Sequence, residues 1–245
     1  ALRNPENFAA LVMNPDHNRE NLSSAYLDEL SGMSARMRER FEFGRFADVG
    51  DSALWSVELL DQQRAGDRLP DMQRVVIAVD PSGCSGEEDI RSDEVGIVVV
   101  GLGVDGKGYV LEDLSGRMGP AKWGAVVASA FDRHQADRVV AEANFGGAMV
   151  SEIIRAARPG TPFREVRASR GKVVRAEPIA ALFEQQKVWM AGTFADLEDQ
   201  LCAMTTNGYT GSKSPDRADA MVWGISDLFP SLTKKDDAFI ALPKV

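Results

Sequence analysis

Val75–Gly83 reads VVIAVDPSG, five apolar and mostly β-branched residues that end in an aspartate and pass into a Pro-Ser-Gly loop. A short uninterrupted apolar run of this kind fits a strand buried on both faces, inside a sheet. Asp80 then stands at the C-terminal end of that strand, the edge where open α/β sheets bind their ligands. The arrangement recurs in RVVAE (Arg138–Glu142), a short apolar strand that delivers Glu142 into Asn144-Phe145-Gly146-Gly147.

Outward from these two strands the pattern stays regular. Pro81–Asp93 is a Gly/Ser/acid loop, and its acidic run Glu87–Glu94 reads as solvated. Val95–Leu102 and Tyr109–Leu114 flank Gly103–Gly108 (GVDGKG), which reads as a hairpin turn. Pro120–His134 sets Trp123, Val126, Val127, Ala130 and Phe131 on one helical face. A helix is expected at Gly147–Ala157, a strand at Phe163–Val166, a helix from Lys172 to Lys187 and a shorter one at Leu197–Met204. Ser214-Pro215-Asp216 reads as a helix start: Ser caps, Pro takes the first position and Asp meets the dipole. That helix runs to Phe229 with Met221, Val222, Ile225, Leu228 and Phe229 as its core stripe. Three strands on hairpin-length connections, then alternating helices and strands, predict an α/β fold: a mixed sheet with helices on both faces.

Residues 1–70 read differently, as a mainly helical or irregular leader with short helices at Ser24–Leu30 and Ser34–Phe41. Within it, Arg38–Phe46 (RERFEFGRF) reads as a capping or docking segment, and the start at Ala1-Leu2-Arg3 reads as that of a fragment. The expected organisation is a leader at 1–70, a domain at 71–230 and a patternless tail at 231–245.

The chain has 245 residues, 44% of them apolar, which suits one larger α/β domain with an appended segment. Wholesale disorder, collagen and disulfide scaffolds are excluded. Cys84 and Cys202 are too few for a thiolate zinc cage and point to a reducing compartment. No apolar run reaches the roughly 18 residues of a membrane helix. With His17 and His134 the only histidines, carboxylates are left to carry any hard chemistry.

Three acids stand out by position. Asp80 and Glu142 end strands, and Asp219 lies early in the last helix. A small cluster of hard oxygen ligands selects Mg²⁺ or Mn²⁺. Each acid alone also reads as a turn former or a dipole residue, so the case rests on the three together. Asp216, three residues before Asp219, shares its helix face and reads as a first-turn dipole residue or a helper at the metal.

The net charge of −9, from 28 basic and 37 acidic residues, argues against coating nucleic acid through bulk charge. A local exception is Arg164–Arg175 (REVRASRGKVVR), with five basic residues against one acid. It reads as a solvated charged face, or as a phosphate-backbone groove with Arg167, Arg170, Lys172 and Arg175 as contacts. GLGVDGK (Gly101–Lys107) has the spacing of a phosphate-binding loop, but Gly108 follows where Ser or Thr is needed, and a strand follows where a helix is needed. It reads as the hairpin turn.

Taken in order, VVIAVDPSG, VVAEANFGG (Val139–Gly147), SRGKVVRAEPIAALFEQQKV (Ser169–Val188) and SPDRADAMVWGI (Ser214–Ile225) resemble the nuclease domain of the large terminase subunit of tailed bacteriophages and gene-transfer particles. NPDHNRENLSSAYLDEL (Asn14–Leu30), RERFEFGRF and ALWSVELLD (Ala53–Asp61) resemble the segment that joins a packaging ATPase to that nuclease. The resemblance implies a ribonuclease H-like fold and an endonuclease that cuts concatemeric double-stranded DNA at the start and end of packaging, using two Mg²⁺ or Mn²⁺ ions. It implies Asp80, Glu142 and Asp219 as metal ligands, with Asp80 bridging and Asp216 in support. Lys172 would contact the scissile or an adjacent phosphate. The implied partners are DNA, the small terminase subunit, the portal and an ATPase domain of the same subunit, in the host cytoplasm and away from membranes.

Other classes share parts of the pattern. Actin-like phosphotransferases also begin with a strand and an Asp-x-Gly type of loop, but they need a second phosphate loop that this chain lacks. A non-catalytic DNA-binding or portal-docking module would keep its DNA affinity without Asp80. Resolvases and transposases of the same fold would not carry the leader.

Overall fold

The computed structural model describes residues 15–24, 26–27, 52–66, 68–81, 94–142, 147–168 and 170–230. A 3₁₀ segment at Pro15–Asn21 comes first, then α1 (Val57–Gln62), β1 (Met72–Pro81), β2 (Val95–Gly103), β3 (Gly108–Asp113), α2 (Pro120–Arg133) and β4 (Arg138–Glu142). After these come α3 (Gly147–Ala157), β5 (Phe163–Val166), α4 (Lys172–Glu184), β6 (Val188–Met190), α5 (Ala195–Cys202), the short strands β7 (Met204–Thr205) and β8 (Gly208–Tyr209), and α6 (Asp216–Leu228).

The main sheet has the order β5-β4-β1-β2-β3-β6. β1 lies inside it, antiparallel to β2 and parallel to β4. β2–β3 is the expected hairpin, closed through Gly106 at φ 77°, a conformation that glycine adopts without penalty. GLGVDGK therefore ends β2 at Gly103 and turns through Val104–Lys107 into β3. β5 and β6 are the edges, each parallel to its neighbour.

Alternation along the strands builds two cores. Val75, Ile77 and Val79 of β1 face α2 and α3, packing with Trp123, Val127, Phe131 and Ile154. Val76, with Val98, Val100 and Val140, faces α4, α5 and α6, packing with Ile179, Phe183, Leu201, Met221 and Ile225. Helices on both faces of a mixed sheet are what the element order predicts.

Two features, the end of one helix and the cap of another, depart from expectation, and a third adds to it. The helix at Lys172 stops at Glu184, because Gln186 takes φ 57° and turns the chain into β6, an edge strand paired with β3. Residues 52–66 do not stand apart from the sheet: Trp55 is 0% exposed and meets Phe183 edge-on at 6.0 Å, Leu60 joins the same core, and Arg64 bridges to β6. Ser214 does not cap the last helix. Pro215 occupies the cap position without a side-chain bond, and Gln200 Oε1 of α5 instead accepts the amides of Arg217 (2.9 Å) and Ala218 (3.1 Å).

Ser24, Tyr26 and Leu27 are helical, within the helix expected at Ser24–Leu30. Ser34–Phe41, RERFEFGRF, most of the Pro81–Asp93 loop with Cys84, Asn144–Gly146 and the tail lie outside the described residues. Cys202 is buried in the core. Among the described residues no helix is long and apolar enough to cross a membrane.

Candidate metal centre

Parallel pairing sets the ends of β1 and β4 side by side, with Val79 opposite Ala141, so Asp80 and Glu142 follow at the same edge. α6 enters over this edge. Its close approach is written in small residues: a Cβ added at Gly224 would meet Val100 Cγ2 at 2.8 Å and Ala78 Cβ at 3.1 Å. At Gly96, the β2 residue paired with Asp80, an added Cβ would meet the Asp216 carbonyl oxygen at 2.0 Å. Arg217 fixes the entry further, with Nε 2.9 Å from Glu94 Oε2 and Nη1 2.8 Å from Asp113 Oδ2. At its far end, α6 buries Asp227 among Arg74, Arg138 and Arg164, which start or lie in β1, β4 and β5. Arg164, one of the five bases of the basic segment, is thus held away from the carboxylate edge.

The first turn of α6 presents Asp216 and Asp219, 3% and 1% exposed. Burying two carboxylates is costly unless cations compensate them. α4 supplies the cations. Lys172 Nζ stands 2.6 Å from Asp219 Oδ2 and donates to Ser214 Oγ at 3.2 Å. Arg175 donates to Asp219 Oδ1 at 3.3 Å and stands 3.9 Å from Glu142 Oε2. Trp223, which the sequence reading passes over, donates from Nε1 to Glu142 Oε2 at 3.0 Å and lies under the Arg175 guanidinium.

The electrostatics follow from this crowding. Burial, and then the charges of Asp219, Asp216 and Glu142, push the Asp80 carboxyl well above the ordinary range, with Lys172 acting in the opposite direction. Burial pulls the Lys172 ammonium down, but its close contact with Asp219 and the charges of Asp219, Asp80 and Asp216 outweigh that, and it ends above its usual value.

Asp80 therefore feels the charges of Asp219, Asp216 and Glu142, which α6 and the neighbouring parallel strand carry. As placed, no three acidic, His or Cys side chains among the described residues are close enough to hold an ion. The donor set nonetheless fits a hard divalent cation. It is all oxygen, and Asp219 Oδ2 is buried without a directed hydrogen bond, since Lys172 approaches it closely but out of line. The Lys172 ammonium stands in for a cation at that oxygen.

Among the other basic residues, Arg167 is exposed and pairs with Glu165 at 3.1 Å, and Arg170 is exposed at the turn before α4. Lys172 and Arg175 turn into the acidic cluster, so the four expected phosphate contacts divide into an outer pair and an inner pair. The signal for Trp223 was in the sequence: it lies four residues after Asp219, on the same helix face and outside the apolar stripe.

Residues 77–228 match the profile of the family described as Terminase RNaseH-like domain. Comparison with curated proteins gives no significant match. Among solved structures, the large terminase nuclease from thermophilic phage G20c with bound magnesium superposes with a TM-score of 0.51 at 18% identity, over 72% of this chain and 98% of that one. The nuclease domain of the large terminase subunit of bacterial virus Sf6 gives 0.50 at 14%, over 69% and 96%. A large terminase from another thermophilic bacteriophage gives 0.54 at 9%, over 85% of this chain but 53% of its own length, so this chain spans about half of that protein. At these identities the likeness speaks for the fold, a six-stranded mixed sheet of the ribonuclease H type. With more than half of its length matched by the profile, the chain belongs to the family of terminase RNase H-like domains.

Proposed function

We propose that this chain is a metal-dependent endonuclease that cuts concatemeric double-stranded DNA when genome packaging starts and ends. The observation that carries the reading is a buried Asp219 oxygen faced by the Lys172 cation, on a helix that starts over the adjacent parallel strand ends carrying Asp80 and Glu142. Family membership and the magnesium in the related G20c nuclease point the same way.

In this reading Asp80, Glu142 and Asp219 would hold two Mg²⁺ or Mn²⁺ ions, with Asp80 as the shared ligand and Asp216 in support. The ions supply Lewis-acid activation of the attacking water and charge for the departing 3′ oxygen. Lys172 exchanges Asp219 for a phosphate near the scissile bond, and Arg175 stays beside the carboxylates or turns to the backbone. Arg167 and Arg170 contact phosphates further along, a mode of binding that positions the duplex and reads little sequence. Choice of site would fall to the small terminase subunit, the portal and the ATPase domain, in the host cytoplasm.

The test is plasmid cleavage with Mg²⁺ or Mn²⁺, with EDTA and Asp80→Ala as controls. Cleavage that needs metal and Asp80 supports the reading, and cleavage that survives Asp80→Ala rejects this site. One observation favours a second reading, a non-catalytic DNA-docking module: Lys172 and Arg175 already compensate the acids without any ion. That module would bind DNA equally well with Asp80→Ala and never cut it.

A further inference from the structure

Trp223 is unlike the other large side chains of α6. Met221, Val222, Ile225 and Leu228 are buried in the core, whereas Trp223 is only partly buried and turns its polar edge to a carboxylate. Its Nε1–H, the one donor an indole has, goes to Glu142 Oε2 at 3.0 Å. Its ring face supports Arg175, whose guanidinium carbon lies 4.6 Å from the ring centroid. Arg175 in turn binds Asp219 Oδ1 at 3.3 Å. A cation–π contact strengthens as it is desolvated, and the Arg175 side chain is only 12% exposed.

We infer that Trp223 is the positioning residue of the metal centre, holding Glu142 directly and Asp219 through Arg175. The inference rests on the nuclease reading above. A glutamate at the end of a strand has three side-chain torsions to settle, and the indole bond settles where Oε2 lies. Arg175 occupies Asp219 Oδ1, which turns Oδ2, the oxygen without a directed donor, toward the place where Lys172 now stands. Groups that hold a ligand's other atom commonly set its affinity for metal, and their loss costs about 10- to 100-fold. One side chain here reaches two ligands that come from different elements, β4 and α6.

The test is isothermal titration of the chain with MnCl₂ alone, for wild type, Trp223→Phe and Trp223→Leu, with thermal melts in EDTA alongside. Trp223→Phe keeps a ring under Arg175 and deletes the donor to Glu142, so Mn²⁺ affinity should fall about tenfold with little change in the metal-free melt. Trp223→Leu also releases Arg175 and should fall further. In plasmid cleavage, Trp223→Phe should need more Mn²⁺ yet approach the wild-type rate at saturation. Mn²⁺ affinity within about twofold of wild type in Trp223→Phe would overturn the inference and leave Trp223 a packing residue. An independent measurement on the unaltered chain is its tryptophan emission, which Mg²⁺ should shift because Nε1 and the ring both face the site; no shift at saturating Mg²⁺ would also overturn it. If the wild-type chain binds no Mn²⁺ at all, the nuclease reading itself fails, an outcome distinct from the failure of Trp223 alone.

Discussion

Gly96 of β2 leaves no room for a side chain beneath Asp216: a Cβ there would stand 2.0 Å from the Asp216 carbonyl oxygen and 2.5 Å from its carbonyl carbon. Because Gly96 is the register partner of Asp80, the same residue sets the height of α6 over the sheet and the gap between the acids of β1 and α6. The obstacle is backbone, so it cannot swing aside as a side-chain tip would.

Gly96→Ala should therefore cost about 1–3 kcal/mol or more, as overpacking does in well-filled sites. That corresponds to a drop in Tm of about 2–4 °C for each kcal/mol. Metal-dependent cleavage should fall further than stability does, since α6 carries Asp216 and Asp219 away from Asp80. Gly66→Ala, where an added Cβ meets nothing within 4 Å, is the control and should melt like wild type. Differential scanning calorimetry of the two variants decides it.

Asp80 couples the stability of the metal-free fold to pH. Its carboxyl is raised above the ordinary range in the folded chain by burial and by Asp219, Asp216 and Glu142. The native state then holds a proton that the unfolded chain releases, so metal-free stability is greatest below the ordinary carboxylate range and declines as pH rises toward the folded value. Asp80→Asn removes that decline. It should raise the Tm of the metal-free protein near neutral pH, flatten the dependence of Tm on pH above the ordinary carboxylate range and abolish cleavage. Thermal melts in EDTA across a pH series would show it, and a variant that melts lower at every pH would contradict it.

Lys172 competes with any cation for Asp219 Oδ2, from which its ammonium stands 2.6 Å away. Lys172→Met should tighten Mn²⁺ binding, by about tenfold if the lost competition amounts to about 1.4 kcal/mol. Cleavage should slow at the same time, because the phosphate loses its contact. Calorimetric titration and single-turnover cleavage on the same preparation separate the two effects.

Trp55 tests where the packed unit begins. Fully buried against Phe183, it should cost about 3–5 kcal/mol as Trp55→Ala. Trp55→Phe should cost much less than that, since Nε1 has no hydrogen-bond partner among the described residues. Chemical denaturation measures both.

The fold was largely legible because its strongest signals are local. VVIAV and RVVA are short, mostly β-branched apolar runs of the kind buried strands use, and each hands a carboxylate to the C-terminal edge of the sheet. Phe163–Val166 and Gly147–Ala157 match the expected bounds residue for residue. What stayed hidden depends on distance through space. β6 has three residues, too few for an alternation to register, and it follows a helix whose exit turns at Gln186, where a glycine would have announced the stop. The cap of α6 comes from Gln200, on another helix, so the neighbouring Ser214 looked like the natural cap. The inward turn of Lys172 and Arg175 could not be read from a basic run that looks the same whether its charges face DNA or acids. Trp55 and Leu60 lie in a stretch whose composition resembles a connector, and their burial depends on residues distant in the sequence, such as Phe183.

The central claim is that Asp80, Glu142 and Asp219 are the ligands of a divalent metal centre. Anomalous diffraction from crystals soaked in MnCl₂ tests it most directly. Manganese peaks are expected within reach of those three carboxylates, with the Lys172 ammonium displaced from Asp219 Oδ2. Saturating manganese that leaves no peak there, with Lys172 still paired to Asp219, would contradict it.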